Sequence, residues 1–550
     1  MTPSLPASLL RVLLLTAVVG LVGCAGSPRG YPDNARPSID RRGIDFPSGM
    51  QLDIVAKNLT GATAIALDEE NGYVYLGDRF PRGDEIRIQR LELETGEIEE
   101  LYPARNAIVS WFDGRPRLKA PVGGLLVHEG ELYVTARGGD GLGLVVAFDI
   151  ADWKPKDRRP PMRTVVGELP ARGDHAVTDL ALHPLTGRLF FGVGSATNSG
   201  VVGLDNNEAG WLGRHRDFHD VPLVPLKIFG YRFDTEDPFR GLIYPDKVNT
   251  APFNAFGQSG QRIPPADNQK PTAAVYSVDP TGGDLRIEAH GIRHPTGLAF
   301  NEFAQLYAAN QGMERRGTRP VRDDPDAVLR LFSIESGERP TWYGWPDYSA
   351  DLLPVTQERF QPVTPLLART GYDELSFLID HDASNDGEGL ETPNRDALLT
   401  AILPSLSGAS GMSFIPSDAE GALAAIAGRL VVALRGDKAP FATGNAPINR
   451  VLGRQIVVVD IDRNTVNPLV YNTTAGRTPT NDGAGGVLTR PSDLAFGMGG
   501  LWILDYGEFT MRGGRERREP ASGRLLLLRP LNKPVDVEPA TRPEVASSIR

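Results

Sequence analysis

Five arginines recur at corresponding places in this chain of 550 residues. Arg79, Arg137 and Arg435 follow short apolar, strand-like runs, and Arg293 and Arg490 directly precede such runs. A guanidinium offers a planar fork of donors that matches a carboxylate, so arginines gathered in one place could hold an anionic ligand. Taken singly, each could equally bond turn carbonyls or neighbouring acids. The same flanking positions carry His175, His294, Ser195 with Asn198, Gln311, Asp437, and Asp505 with Glu508. A different chemistry attaches to Cys24, the only cysteine, which closes the segment Leu21-Val22-Gly23-Cys24. A lone thiol at the end of an apolar leader is placed for acylation.

The elements that must position these residues are repeats. Six segments share one shape, a short apolar strand, a turn and a second strand ending in a glycine or polar cluster. They are Gly61–Asp78, Pro121–Gly138, Ala176–Ser195, His294–Gly312, Gly408–Gly436 and Arg490–Gly507. Six copies predict a six-bladed β-propeller of the all-β class. Blades commonly repeat every 40–50 residues or so, and two intervals here are more than twice that, so insertions are expected at about 201–272 and 347–405. Runs such as Ile86–Leu93, Gly143–Asp149, Ala274–Val278, Val328–Ile334 and Gln455–Ile461 supply outer strands. The last run, Arg524–Arg529, is expected to close the ring beside a strand near Gln51–Ala56, which removes the open edges of a sheet. A β-sandwich array is the alternative. In a propeller the inner strands surround an axial channel, so the flanking arginines and histidines would converge on one mouth.

Composition narrows the function. The formal charge of −11 argues against nucleic acid, because neutralising phosphates needs clustered cations. No zinc-type Cys/His spacing occurs, and His215 and His219 read as loop residues. With one cysteine, disulfides are excluded. Arg11 followed by the apolar run Val12–Val22 fits a cleaved signal better than a spanning helix, an ordinary secretory signal being the alternative to a lipoprotein one. The expected organisation is a signal at 1–23, a lipidated tether at 24–49 rich in Pro, Gly, Ser and Arg, a propeller at 50–532 and a tail at 533–550. Ala25 after the cysteine favours an outer membrane, with the protein in the cell envelope facing the periplasm.

Several motifs in order carry a family resemblance. Gly291-Ile-Arg-His-Pro-Thr-Gly-Leu-Ala-Phe300, then Leu306-Tyr-Ala-Ala-Asn-Gln-Gly-Met313, then Tyr343-Gly-Trp-Pro346 resemble the signature of the quinoprotein glucose/sorbosone dehydrogenases. Gly210-Trp211, His219-Asp-Val-Pro222, Arg319-Pro-Val321 and Val432-Ala-Leu-Arg-Gly-Asp437 extend it over most of residues 60–530. The resemblance implies a six-bladed propeller that uses pyrroloquinoline quinone (PQQ) to oxidise a sugar or alcohol.

It also implies roles. His175, eight residues before His183-Pro184, would be the base that takes a proton from the substrate hydroxyl. Arg293, Gln311 and Arg435 would contact the cofactor, and backbone carbonyls of Gly312 and Met313 would coordinate calcium. Trp345 reads as packing and His183 as structural. The chain departs from the pattern in three places. Ser195 stands where a carboxylate would orient the histidine, so that either Asp174 or Asp179 does that work or it goes undone. His294 replaces an asparagine, and Ala327-Val328 follow Asp326 in place of an acidic pair. With no CxxCH haem motif, electrons would pass to a separate quinone or cytochrome. A catalytically silent propeller that binds a sugar, glycan or protein stays open beside the oxidoreductase, as does a hydrolytic lactonase-like propeller.

Overall fold

A computed structural model describes residues 26–531 apart from 81–82, 104–116, 152, 154–159, 241–245, 266–269, 333–338, 368–369, 385–389, 437–452, 474–487 and 513–514. Cys24 and Asp437 therefore lie outside the described residues. Six antiparallel sheets surround a common axis, each running outward from its inner strand. From the inside out, blade one is Ala64–Asp68, Tyr73–Arg79, Ile86–Glu92 and Ile98–Tyr102; blade two is Lys119–His128, Glu131–Arg137, Gly143–Asp149 and Met162–Leu169. Blade three is Val177–Leu182, Leu189–Val193, Ala274–Val278 and Arg286–His290; blade four is Pro295–Phe300, Leu306–Asn310, Asp326–Leu331 and Leu399–Leu403. Blade five is Ala409–Ile415, Arg429–Leu434, Gln455–Asp460 and Thr465–Asn472. Blade six combines Pro491–Gly497, Gly500–Asp505 and Gly523–Pro530 with the early strand Met50–Leu59. The expected ring closure is present, with Gln51 opposite Arg529 and Leu52 opposite Leu528.

Each blade is buried on both faces, which explains why its middle strands are unbroken apolar runs rather than alternating ones. In Leu430-Val431-Val432-Ala433-Leu434 every residue is fully buried. Leu430, Val432 and Leu434 enter the core shared with blade four, whereas Val431 and Ala433 enter the core shared with blade six.

The inner strands are stitched to one another at one register position. Thr63 Oγ1 donates to Val122 O at 2.7 Å, Thr296 Oγ1 to Ala409 O at 2.8 Å, Ser410 Oγ to Pro491 O at 3.2 Å and Ser492 Oγ to Ala62 O at 2.8 Å. Thr178 Oγ1 donates likewise to Pro295 O. Blade two has Gly123 at this position, because a Cβ there would collide with Val177 O, and Thr135 of its second strand donates to Thr178 O instead. At the next position Asp179 and Asp493, fully enclosed in blades three and six, accept the amides of Leu298 and Ile65 from the following blade.

The segment before the ring corrects the expectation of a tether through residue 49. Arg29–Gly30 pairs with Ala56 and Lys57 to extend blade six, Ile44–Asp45 pairs with Tyr471 and Asn472 to extend blade five, and Ile39, Ile44 and Phe46 are buried. Composition suggested a coil, yet pairing on a sheet edge needs only backbone groups. The two insertions occur within blades three and four, and they pack on each other. Leu226, Ile228 and Ile263 of the first share a core with Leu367, Leu375 and Ile379 of the second, and Ile228 bridges Ile379. Among the described residues no helix is long and apolar enough to cross a membrane.

Candidate active site

The mouth at the start of the inner strands opens into a cavity of about 560 Å³, within the span of about 300–1,000 Å³ usual for small-molecule sites. Its floor is the ring of Thr63, Thr178, Thr296, Ser410 and Ser492. Of the residues singled out in the sequence, Arg79, Arg137, His175, His294, Gln311 and Arg435 line it together. These come from blades one to five, so the repeat alignment does bring them to one place.

His175 stands two residues before the inner strand of blade three. Its Nδ1 lies 2.8 Å from Ser195 O and 3.1 Å from Ser195 Oγ. A carbonyl oxygen only accepts, so Nδ1 carries the hydrogen and Nε2 the lone pair. The Ser195 hydroxyl donates to Thr197 O at 2.6 Å, which leaves its lone pairs for the imidazole. Ser195 thus orients the ring. Asp174 is occupied by Arg316 and Asn206, and Asp179 by the amides of Leu180 and Leu298, so neither performs the task the family pattern would have left to them. Burial holds the His175 pKa well below the ordinary 6.5, and the charges of His294, Arg293 and Arg316 push it further in the same direction. The imidazole is neutral throughout the physiological range.

His294 stacks on His175 with ring centroids 3.9 Å apart. Its Nδ1 lies 3.1 Å from Gln311 Oε1, and Gln311 Nε2 donates to Ala409 O at 2.6 Å. Gln311 therefore positions the second imidazole, a task the sequence reading had not given it.

The five arginines divide. Arg79 and Arg435 have buried Nε atoms with no hydrogen-bond partner among the described residues, and neither forms an ion pair with a described carboxylate. Arg137 donates to Ala171 O and Gly173 O and sits over the Trp211 ring. Arg293 is different from the expected cofactor contact. It is 2% exposed, lies outside the cavity lining, and donates to Asn198 O, Asn198 Oδ1 and Gln311 O. Its charge still reaches His175. Arg490 also lies outside the lining and points its donors at the carbonyls of Arg435 and Gly436. Asp505 is likewise internal, binding the amides of Thr489 and Arg490.

Gly312 and Met313 follow Gln311 but do not line the cavity. Their amides donate to Asp326 and Asp324, and the Met313 side chain is in the core. Among the described residues no cluster of three or more His, Cys, Asp or Glu side chains could hold a metal ion. Trp345 is packed, as expected, with its indole N–H on Asn198 O. His183 accepts the amides of Leu185 and Thr186 and so caps its turn.

No family model matches the sequence, and no curated protein matches it. Solved structures do. The PQQ-bound form of aldose sugar dehydrogenase from Streptomyces coelicolor is 13% identical, with 88% of this chain and 100% of that chain covered and a TM-score of 0.45. The holo form of the pyranose dehydrogenase PQQ domain from Coprinopsis cinerea is 13% identical over 90% and 99% of the two chains, with a TM-score of 0.48. The apo form of soluble aldose sugar dehydrogenase from Escherichia coli is 14% identical over 88% and 99%, with a TM-score of 0.44. At these identities and TM-scores the likeness leaves the chemistry to be argued from the cavity itself.

Cavity residues outside the repeats escaped the sequence reading. Trp211, Arg214 and His215 enter from the blade-three insertion, and Lys119 from the start of blade two. Gly210-Trp211 was noticed as a motif, but no periodicity relates an insertion to the axis it covers.

Proposed function

We propose that the chain is a quinoprotein oxidoreductase that binds PQQ in this cavity and oxidises the alcohol or aldehyde group of a sugar-like substrate. The observation that carries the reading is one cavity holding a neutral imidazole, fixed with its basic Nε2 available, the Arg435 guanidinium, which forms no ion pair with a described carboxylate, and Arg79, whose charge is offset in part by Glu516 and Asp84 of the same lining. A half-buried guanidinium with unused donors gains from an anion, and a polycarboxylate ligand would supply one. Arg79 and Arg435 would hold the cofactor carboxylates; Arg293 and Gln311 would act behind them, by bracing the Asn198 turn and His294. PQQ supplies an ortho-quinone able to accept a hydride, and a separate quinone or cytochrome would reoxidise it.

His175 does the proton chemistry. Nε2 would take the substrate hydroxyl proton, and the quinone, when bound, would supply the acceptor for the carbinol hydride, so that the C–O bond becomes a carbonyl. The Nδ1–H bonds to Ser195 fix the ring plane while the proton arrives. The carbonyls of Gly312 and Met313, which the resemblance would give to calcium, do not line this cavity and so do not fit a calcium ion bound beside the cofactor.

The same proposal includes acylation at Cys24 and residence at the outer membrane facing the periplasm. Because the body begins at Arg29, only about four residues, spanning roughly 14 Å at full extension, would separate lipid from propeller.

The test is titration of the purified protein with PQQ and calcium, followed by reduction of an artificial electron acceptor with aldoses and alcohols. PQQ is expected to bind wild type and His175→Ala alike, with turnover lost by at least about a hundredfold in the variant. A wild type that neither binds PQQ nor reduces the acceptor would instead favour a silent propeller binding a sugar, glycan or protein.

A further inference from the structure

One side of the mouth is not explained by cofactor binding. Trp211 and Arg214 lie on the short helix Trp211–Arg214 of the blade-three insertion, and both face the cavity beside Arg137 of blade two. The Arg137 guanidinium carbon is 4.8 Å from the Trp211 ring centroid and that of Arg214 is 4.9 Å away. The indole thus holds two cations close together. Part of each fork is anchored on backbone, Arg137 on Ala171 O and Gly173 O and Arg214 on Gly210 O at 3.0 Å. Neither forms an ion pair with a described carboxylate. The nearest acid on the His175 side, Asp174, is already paired with the buried Arg316.

The crowding has a visible cost. Burial and the positive charges of Arg79 and Arg214 lower the Arg137 pKa to about 10, outweighing the attraction of Asp174 and Asp84. Two anchored, mutually repelling guanidiniums at the entrance are relieved by an anion between them. They also stand next to the base, since His175 follows Gly173 and Asp174 directly and Arg137 is bonded to the Gly173 carbonyl. A ligand gripped here would place its remaining atoms over Nε2 of His175.

We propose that Arg137 and Arg214, held over Trp211, form a subsite for the anionic group of a charged sugar. The inference rests on the quinoprotein reading and names its substrate class: a sugar bearing a carboxylate or phosphate, in preference to a neutral aldose.

The test is calorimetric titration of the PQQ-supplemented protein with glucose, glucuronate and glucose 6-phosphate at low and high salt. At least one charged sugar binds about tenfold or more tightly than glucose at low salt, and the preference shrinks at high salt. Which of the two it is separates carboxylate from phosphate. Arg214 is exposed, so Arg214→Gln folds normally and abolishes the preference; Arg137→Lys, which keeps the charge but loses the fork, weakens it. Equal affinity for all three sugars in a protein that binds PQQ overturns the subsite and leaves the quinoprotein reading intact. An Arg214-dependent preference in a protein that binds no PQQ overturns the quinoprotein reading and keeps the subsite. Binding of none of the three overturns the subsite.

Discussion

Arginines in this protein live in two kinds of surroundings a few residues apart. At the mouth, Arg79, Arg137, Arg214 and Arg435 face a cavity with donors to spare and no paired carboxylate among the described residues. Just behind the histidines, Arg293, Arg316 and Arg319 are enclosed and fully committed. Arg316 binds Asp174 and Asp205 at 2.7 Å each and Glu314 at 2.8 Å, and Arg319 donates to Ser199 O, Pro346 O and Ser376 O. The difference teaches that charge inside a propeller serves either to hold loops or to receive a ligand. What separates the two is whether the protein itself takes up the guanidinium's donors.

The contrast breaks most sharply at Arg316. Replacing it by Met strands two buried carboxylates, Asp174 and Asp205, and is expected to cost about 3–5 kcal/mol, read as a fall in denaturation midpoint. Removing a guanidinium from the mouth should do the reverse. Arg435→Gln is expected to leave thermal stability nearly unchanged and to weaken PQQ binding about ten- to a hundredfold, the worth of one charge-assisted hydrogen bond of about 1.5–3 kcal/mol. A stability loss without a change in PQQ affinity would put Arg435 in the scaffold group.

Carboxylates sharpen the comparison further, since Asp179 and Asp493 have backbone amides but no arginine. Burial raises Asp179 to about 7 and Asp493 well above its ordinary range, the latter aided by repulsion from Asp179. A folded pKa above the unfolded one gives stability that is complete below pH 4 or so and is lost as pH rises through about 7. Wild type is therefore expected to lose about 3 kcal/mol between pH 5 and pH 8 from Asp179 alone, two pH units at about 1.4 kcal/mol each, and Asp179→Asn to flatten that slope in thermal melts. A slope unchanged in the variant would assign the pH dependence to other groups.

Much of this is legible in the sequence alone. The six repeats located every inner strand, because an apolar run followed by a turn and a second run has few other uses, and the pairing of Gln51 with Arg529 followed from the need to hide edges. The repeats also brought His175, Gln311 and Arg435 to one mouth. What they could not convey was which way an arginine spends its donors. Arg293 precedes an inner strand and Arg435 follows a second strand at the same end of the ring, yet Asn198 and Gln311 take the first while the second keeps an unpartnered Nε. Ser195 was read as a missing carboxylate because its own backbone carbonyl, invisible as a residue type, does half of the orienting. Residues 29–49 were mistaken for a leash for a related reason.

The closure of blade six carries one last consequence. Its outer strand, Met50–Leu59, leaves the ribosome before the four strands of each of the other five blades, and its partner Gly523–Pro530 leaves after all of them. No partial chain can complete the circle, so translation or export arrested short of residue 523 leaves the sixth sheet without the strand that joins its two halves. Cutting and rejoining the gene within a different blade would move that dependence elsewhere while keeping every inner-strand contact.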